Sequence, residues 1–166
     1  MAGLGQILFV CTGNTCRSPL AEAVARQVIR SSGLDATVAS AGIGAMDDEP
    51  ASAMARAVAR ESGLDLESHR ARLLTRGDVL AARLVLTMGP RQLEFIRVLA
   101  PEASDRVFLV SDYASTGESR QEIRDPFGGD REAYRRTLAE LRPVVEQALQ
   151  RFEAEAGKRG SHGRHA

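Results

Sequence analysis

Two rhythms of apolar and polar residues run along this chain. Short runs at Ile7 to Val10, Ala36 to Ser40, Leu84 to Met88 and Arg106 to Val110, each with two β-branched residues, read as strands. Between them, apolar residues recur every three or four positions, as on a helix with one buried face. Leu20, Val24 and Val28 share a face between Pro19 and about Ser31, and Gly33 is a natural stop. Pro50 opens a second helix with Met54, Ala57 and Val58 inward, ended by Gly63. Leu64 to Leu74 is irregular, and Arg76 to Ala81 is a short helix. A further helix from Arg91 to Ala100 places Leu93, Ile96 and Leu99 on one face, and Pro101 ends it. Ser111 to Gly129 reads as a polar loop. The last helix runs from Asp130 to about Ala156, with one stripe through Tyr134, Leu138, Leu141, Val145, Leu149 and Phe152. Pro143 lies inside it and is expected to kink it without splitting it. Strands alternating with helices make this an α/β chain with a parallel sheet.

With 166 residues, one domain is expected, spanning residues 1–156, with residues 157–166 as a disordered, glycine-rich basic tail. His162 and His165 in that tail read as solvated residues, not metal ligands. Twenty-two basic residues balance 22 acidic ones, so nothing in the charge favours nucleic acid or a membrane surface. The apolar runs are too short to span a bilayer, and the start MAGLGQILFV has no basic region or cleavage pattern of a signal peptide. The two cysteines, Cys11 and Cys16, share one loop, which suggests a reactive site in a reducing compartment such as the cytoplasm.

That loop joins the first strand to the first helix. Ser18 suits an N-cap and Pro19 the first helical position, so backbone N–H groups should converge on an anion there. Cys11 opens the loop and Arg17 closes it. A helix N-terminus, convergent N–H groups and a guanidinium all favour a thiolate at Cys11. Arg17 offers a planar fork of donors for two oxygens of a tetrahedral oxyanion. Gly13 and Asn14 suit tight backbone angles, including positive φ. Ser18 can hydrogen-bond the sulfur and help it leave. A lone cysteine at a strand end is usually just buried, but burial does not explain the other residues at these offsets.

The run Cys11-Thr12-Gly13-Asn14-Thr15-Cys16-Arg17-Ser18-Pro19 resembles the signature loop of the low-molecular-weight protein tyrosine phosphatases. Asp125-Pro126-Phe127 resembles that family's general-acid motif, and the likeness extends from about Gln6 to Phe152. The resemblance implies three layers, a four-stranded parallel sheet in the order 2-1-3-4 with helices on both faces. Cys11 then sits at the C-terminal end of a central strand, where open parallel sheets bind ligands. It implies Cys11 as nucleophile, Arg17 as oxyanion clamp and Asp125 as general acid. Thr12 to Ser18 would cradle phosphate or another oxyanion. Asn14, Ser18, Ser40 and His69 would form a polar network shaping the loop. The chemistry is two-step, through a phosphocysteine that water hydrolyses. No metal or cofactor is implied, because Arg17 and the N–H groups supply the charge compensation.

The partners implied are phosphorylated proteins, bound by a monomer. Members acting on phosphotyrosine commonly carry a Tyr-Tyr pair after Asp-Pro and a bulkier residue at the position of Thr15. Here Phe127 is followed by Gly128 and Gly129, and both departures at the rim, Thr15 and Phe127, resemble the bacterial protein-arginine phosphatase branch. Phosphoarginine is therefore the favoured substrate and phosphotyrosine the alternative. Arsenate reduction would require further distant cysteines, and the presence of Cys11, Arg17 and Asp125 argues against an inactive phosphate-binding domain. The pairing of Cys11 with Cys16 also suggests a redox-sensitive site, in which the second thiol traps the oxidised first one.

Overall fold

A computed structural model describes residues 3–115 and 121–162. Four strands, β1 (Gln6–Cys11), β2 (Thr37–Gly42), β3 (Leu84–Thr87) and β4 (Val107–Leu109), pair in parallel in the order β2-β1-β3-β4. Ile7 stands opposite Val38 on one side of β1 and Leu84 on the other, so the first strand is central. Its residues alternate between faces, as the two-residue period of a strand demands. Ile7, Phe9 and Cys11 enter one core with Leu20, Val24 and Leu138, while Leu8 and Val10 enter a second with Val79 and Ile96.

Among the described residues, six α-helices cover the sheet: α1 (Arg17–Ser32), α2 (Ala53–Glu61), α3 (Arg76–Ala81), α4 (Pro90–Leu99), α5 (Val110–Ala114) and α6 (Arg131–His162). α1, α2, α5 and α6 supply the first core, α3 and α4 the second. α1 and α6 lie side by side. The expected stripe on α6 is buried from Tyr134 to Phe152, and the helix passes through Pro143 unbroken.

Several local expectations change. α1 begins at Arg17 with Cys16 at its N-cap, so Ser18 lies inside the first turn. That turn has no internal acceptors for its N–H groups, which is why Pro19 is tolerated there. Pro50 does not open α2; it bridges to Arg70, and Ser52 caps the helix by accepting from the Ala55 N–H. Met54 is turned outward, 38% exposed, while Ala55, Val58 and Ala59 face the core. The stretch expected to be loop from Ser111 opens with α5, whose Val110, Ser111 and Tyr113 are buried. Residues 116–120 of that stretch lie outside the described residues. α6 runs past Ala156 through Gly157 and Gly160 to His162, so the start of the expected tail is helical. Extending an existing helix needs no new nucleus, and each glycine costs only about 1 kcal/mol. His165 lies outside the described residues.

Candidate active site

Cys11, at the end of β1, and Arg17 and Ser18, at the start of α1, are all buried around one loop. Asn14 at its centre has φ 55, a left-handed conformation that asparagine accepts more readily than most residues; Gly13 does not use positive φ. This curl points the Asn14 N–H at the Cys11 Sγ, 3.2 Å away. The Asn14 amide spends both its hydrogens, donating to the Ser18 Oγ at 2.8 Å and the Ser40 Oγ at 2.9 Å. Its Oδ1 accepts from the Arg72 N–H at 3.0 Å, which fixes the amide's orientation. With its lone pair so engaged, the Ser18 hydroxyl can direct its proton at the Cys11 Sγ, 2.9 Å away.

His69 belongs to the same network, donating from Nε2 to the Asn14 carbonyl at 2.8 Å. The Ser40 hydroxyl donates to the Glu22 Oε2 at 3.0 Å, and His69 Nδ1 lies 3.8 Å from that oxygen. Gly42 lets the β2 backbone close on the loop: a Cβ there would stand 2.4 Å from the Thr12 carbonyl oxygen.

Arg17 is held by the segment before the Asp-Pro motif. Its guanidinium donates to the Ile123 carbonyl at 3.1 Å, the Glu122 carboxylate at 3.4 Å and Asp125 Oδ2 at 3.5 Å. The Asp125 side chain is half exposed, and its Oδ1 accepts from the Phe127 N–H at 3.1 Å. Burial pushes the Cys11 thiol up, while the Ser18 hydroxyl, the Arg17 charge and the Asn14 N–H pull it down. The net direction is upward, opposite to the thiolate bias expected from the loop motif. Full desolvation of the sulfur is the reason.

These groups floor and wall a cleft of about 400 Å³. It is lined by the loop residues Cys11, Thr12, Gly13, Thr15, Cys16 and Arg17, by Gly44, Met46 and Glu49 from the segment after β2, and by Asp125 and Phe127. Phe127 is 80% exposed and stands as a free aromatic wall. The Cys16 Sγ lies 3.3 Å from the Tyr134 hydroxyl, 3.6 Å from Ser52 Oγ and 3.7 Å from Thr15 Oγ1. Burial first, then the contact with Cys16, pushes the Tyr134 hydroxyl up to about 12. Among the described residues, no three His, Cys, Asp or Glu side chains gather as a metal site.

Residues 6–158 match the model of the low molecular weight phosphotyrosine protein phosphatases. The chain belongs to that family. A protein-arginine-phosphatase of Bacillus subtilis is 35% identical over 89% of this chain and 96% of its own. The low molecular weight protein-tyrosine-phosphatase Wzb of Salmonella typhi is 36% identical over 92% of this chain and 97% of its own. Among solved structures, the YwlE arginine phosphatase of Geobacillus stearothermophilus superposes with a TM-score of 0.84 at 34% identity, over 93% of this chain and 96% of that one. The sheet order β2-β1-β3-β4 is thus the order the family resemblance implied.

The structure brings together every residue singled out in the phosphatase loop, together with Ser40, His69, Asp125 and Phe127. It adds several that sequence reasoning missed. Glu22 lies four residues after Ser18 on α1, a spacing that shares a helix face and was readable in principle. Gln92 of α4 donates to Thr12 Oγ1 at 3.0 Å, while Tyr134 and Arg72 reach the loop through tertiary packing with no local signal. No helix among the described residues is long and apolar enough to cross a membrane.

Proposed function

We propose that this chain hydrolyses phosphoarginine in proteins through a phosphocysteine intermediate, with Cys11 as nucleophile, Arg17 as oxyanion clamp and Asp125 as general acid. The observation that carries this is the placement of the buried Cys11 Sγ, 2.9 Å from the Ser18 hydroxyl, at the base of a cleft that also holds Arg17 and Asp125. In the first step the ionised Sγ attacks phosphorus. The Arg17 guanidinium and the N–H groups of the loop hold the equatorial oxygens. Arg17 already lies 3.5 Å from Asp125, so one residue spans the phosphate position and the acid. Protonated Asp125 gives its proton to the departing nitrogen as the P–N bond breaks and the P–S bond forms. In the second step Asp125, now ionised, takes a proton from water as its oxygen attacks phosphorus. Sulfur leaves, stabilised by the Ser18 hydroxyl, and phosphate is released.

The preference for arginine rests on the rim. Thr15 is small and carries a hydroxyl, and Phe127 directly follows the Asp-Pro motif and is itself followed by two glycines, not by a second aromatic. Phosphotyrosine is the second reading, favoured by the exposed Phe127 ring on the cleft wall. The cleft is complete within one chain, which suits a monomer, and two free thiols suit the cytoplasm.

The ratio of kcat/KM on phosphoarginine and phosphotyrosine peptides tests the substrate. A ratio below one removes the arginine reading and leaves the tyrosine one. Cys11→Ser should abolish turnover, and Asp125→Asn should lower kcat by about 10²- to 10⁴-fold, the usual scale of general acid catalysis. An active Cys11→Ser protein would end the covalent mechanism.

A further inference from the structure

An anion pocket normally excludes unpaired carboxylates, because each raises the cost of bringing in a phosphate dianion. Among the described residues, the carboxylates of Glu49, Glu122 and Asp125 stand in or beside this cleft. Glu122 and Asp125 are both engaged by Arg17. The third, Glu49, lines the cleft and makes no side-chain hydrogen bond or ion pair among the described residues. Its position is nonetheless fixed. The Glu49 carbonyl accepts from the Ala71 N–H at 2.7 Å, and the Asp48 N–H donates to the Ala71 carbonyl at 2.9 Å. Asp47 Oδ1 accepts from the Leu73 N–H at 2.8 Å, and Pro50 bridges to Arg70. Of the three consecutive acidic residues Asp47, Asp48 and Glu49, the chain thus uses the first to fasten the loop and turns the last towards the cleft.

We infer that Glu49 is a specificity-determining residue, whose carboxylate receives the guanidinium of the phosphoarginine substrate. The inference rests on the substrate reading above. Phosphoarginine places a delocalised cation one bond from phosphorus, and a planar guanidinium pairs readily with a carboxylate. Phosphotyrosine brings the same dianion on a neutral ring, so for it Glu49 offers only repulsion. One carboxylate thus attracts one substrate and discriminates against the other, which is how a difference between two affinities is built.

Glu49→Gln keeps the size and the backbone bonds of the residue while removing its charge, and the side chain is exposed, so the variant should fold. The experiment measures kcat/KM for wild type and Glu49→Gln on a phosphoarginine peptide, on free phosphoarginine and on a phosphotyrosine peptide, together with inhibition by inorganic phosphate. Activity on both phosphoarginine substrates should fall by about tenfold, while activity on phosphotyrosine holds or rises. Phosphate should inhibit the variant more strongly, because the repulsion is gone. A loss on the peptide but not on free phosphoarginine would place the contact on a flanking residue and overturn the inference. Equal losses on all substrates would make Glu49 structural and overturn it too. A wild type that prefers phosphoarginine with an unchanged ratio in Glu49→Gln would sink this inference alone. A wild type that prefers phosphotyrosine would remove the substrate reading, and the inference with it.

Discussion

Replacing Asn14 by alanine should unfold the loop's support from within. The side chain is fully buried and makes three hydrogen bonds, to Ser18, Ser40 and the Arg72 N–H. A buried hydrogen bond contributes about 1 kcal/mol net, so the three together supply about 3 kcal/mol. Alanine must also hold the left-handed backbone at φ 55, which costs a further ~1 kcal/mol that asparagine largely avoids. Asn14→Ala should therefore destabilise the protein by about 3–4 kcal/mol, a large share of the total stability of a domain this size. Urea denaturation is the assay, with the midpoint lowered and the slope unchanged. A double-mutant cycle with Ser40→Ala isolates one bond and should return a coupling of about 1 kcal/mol. A loss below about 1 kcal/mol for Asn14→Ala, at unchanged slope, would refute the reasoning. The loop would then be held by the backbone N–H groups of Ile43 and Gly44, which donate to the Cys11 and Thr12 carbonyls, instead.

Ser18→Ala removes the strongest of the influences that lower the Cys11 thiol, so its pKa should rise further. Alkylation by iodoacetamide at neutral pH should slow, and an unchanged rate would remove the hydroxyl from the balance. Peroxide should oxidise Cys11 to a sulfenic acid, which the Cys16 thiol condenses with, releasing water and closing a disulfide. Dithiothreitol should then restore activity in wild type but not in Cys16→Ser, and equal recovery in both would make Cys16 a packing residue. Burial pushes the Asp78 carboxyl up, but hydrogen bonds from Arg72 and Thr75 outweigh it and hold the group below its usual range. The depressed pKa means stability that is present above the ordinary aspartate value, about 3.9, and lost as pH falls through the lower folded one. Asp78→Ala should cost about 1 kcal/mol at neutral pH, the scale of a lost helix cap, and the gap from wild type should narrow in acid. A gap that widened in acid would reverse the sign.

The parts of the fold legible in the sequence were those with a strong local rhythm. The β1 run and the α6 stripe are of this kind, because burial on one face leaves a period that side chains cannot hide. The order of the strands came from the family resemblance, since periodicity carries no information on which strand lies beside which. α5 escaped because five residues following directly on a strand are too few to show a period. Met54 turns outward against expectation because hydrophobicity alone cannot distinguish a core residue from an exposed one. At the candidate site, the loop and the Asp-Pro motif were readable as motifs. Glu49 was not, because an acidic residue in a loop looks like solvated surface until the cleft it lines is seen. Tyr134 was read as part of the α6 stripe, yet its hydroxyl, far along the chain, ends at Cys16.

That last contact concerns the order in which the protein is made. β1 and its thiol loop leave the ribosome before the elements that cover them. Arg17 finds Ile123 and Asp125, and Cys16 finds Tyr134, only after more than a hundred further residues have followed. The central strand likewise waits for β3 on one side. A nascent chain thus carries both thiols without the burial that shields them in the finished protein. The site is completed by the segment around Asp125 and by α6, so its assembly waits until both have been synthesised.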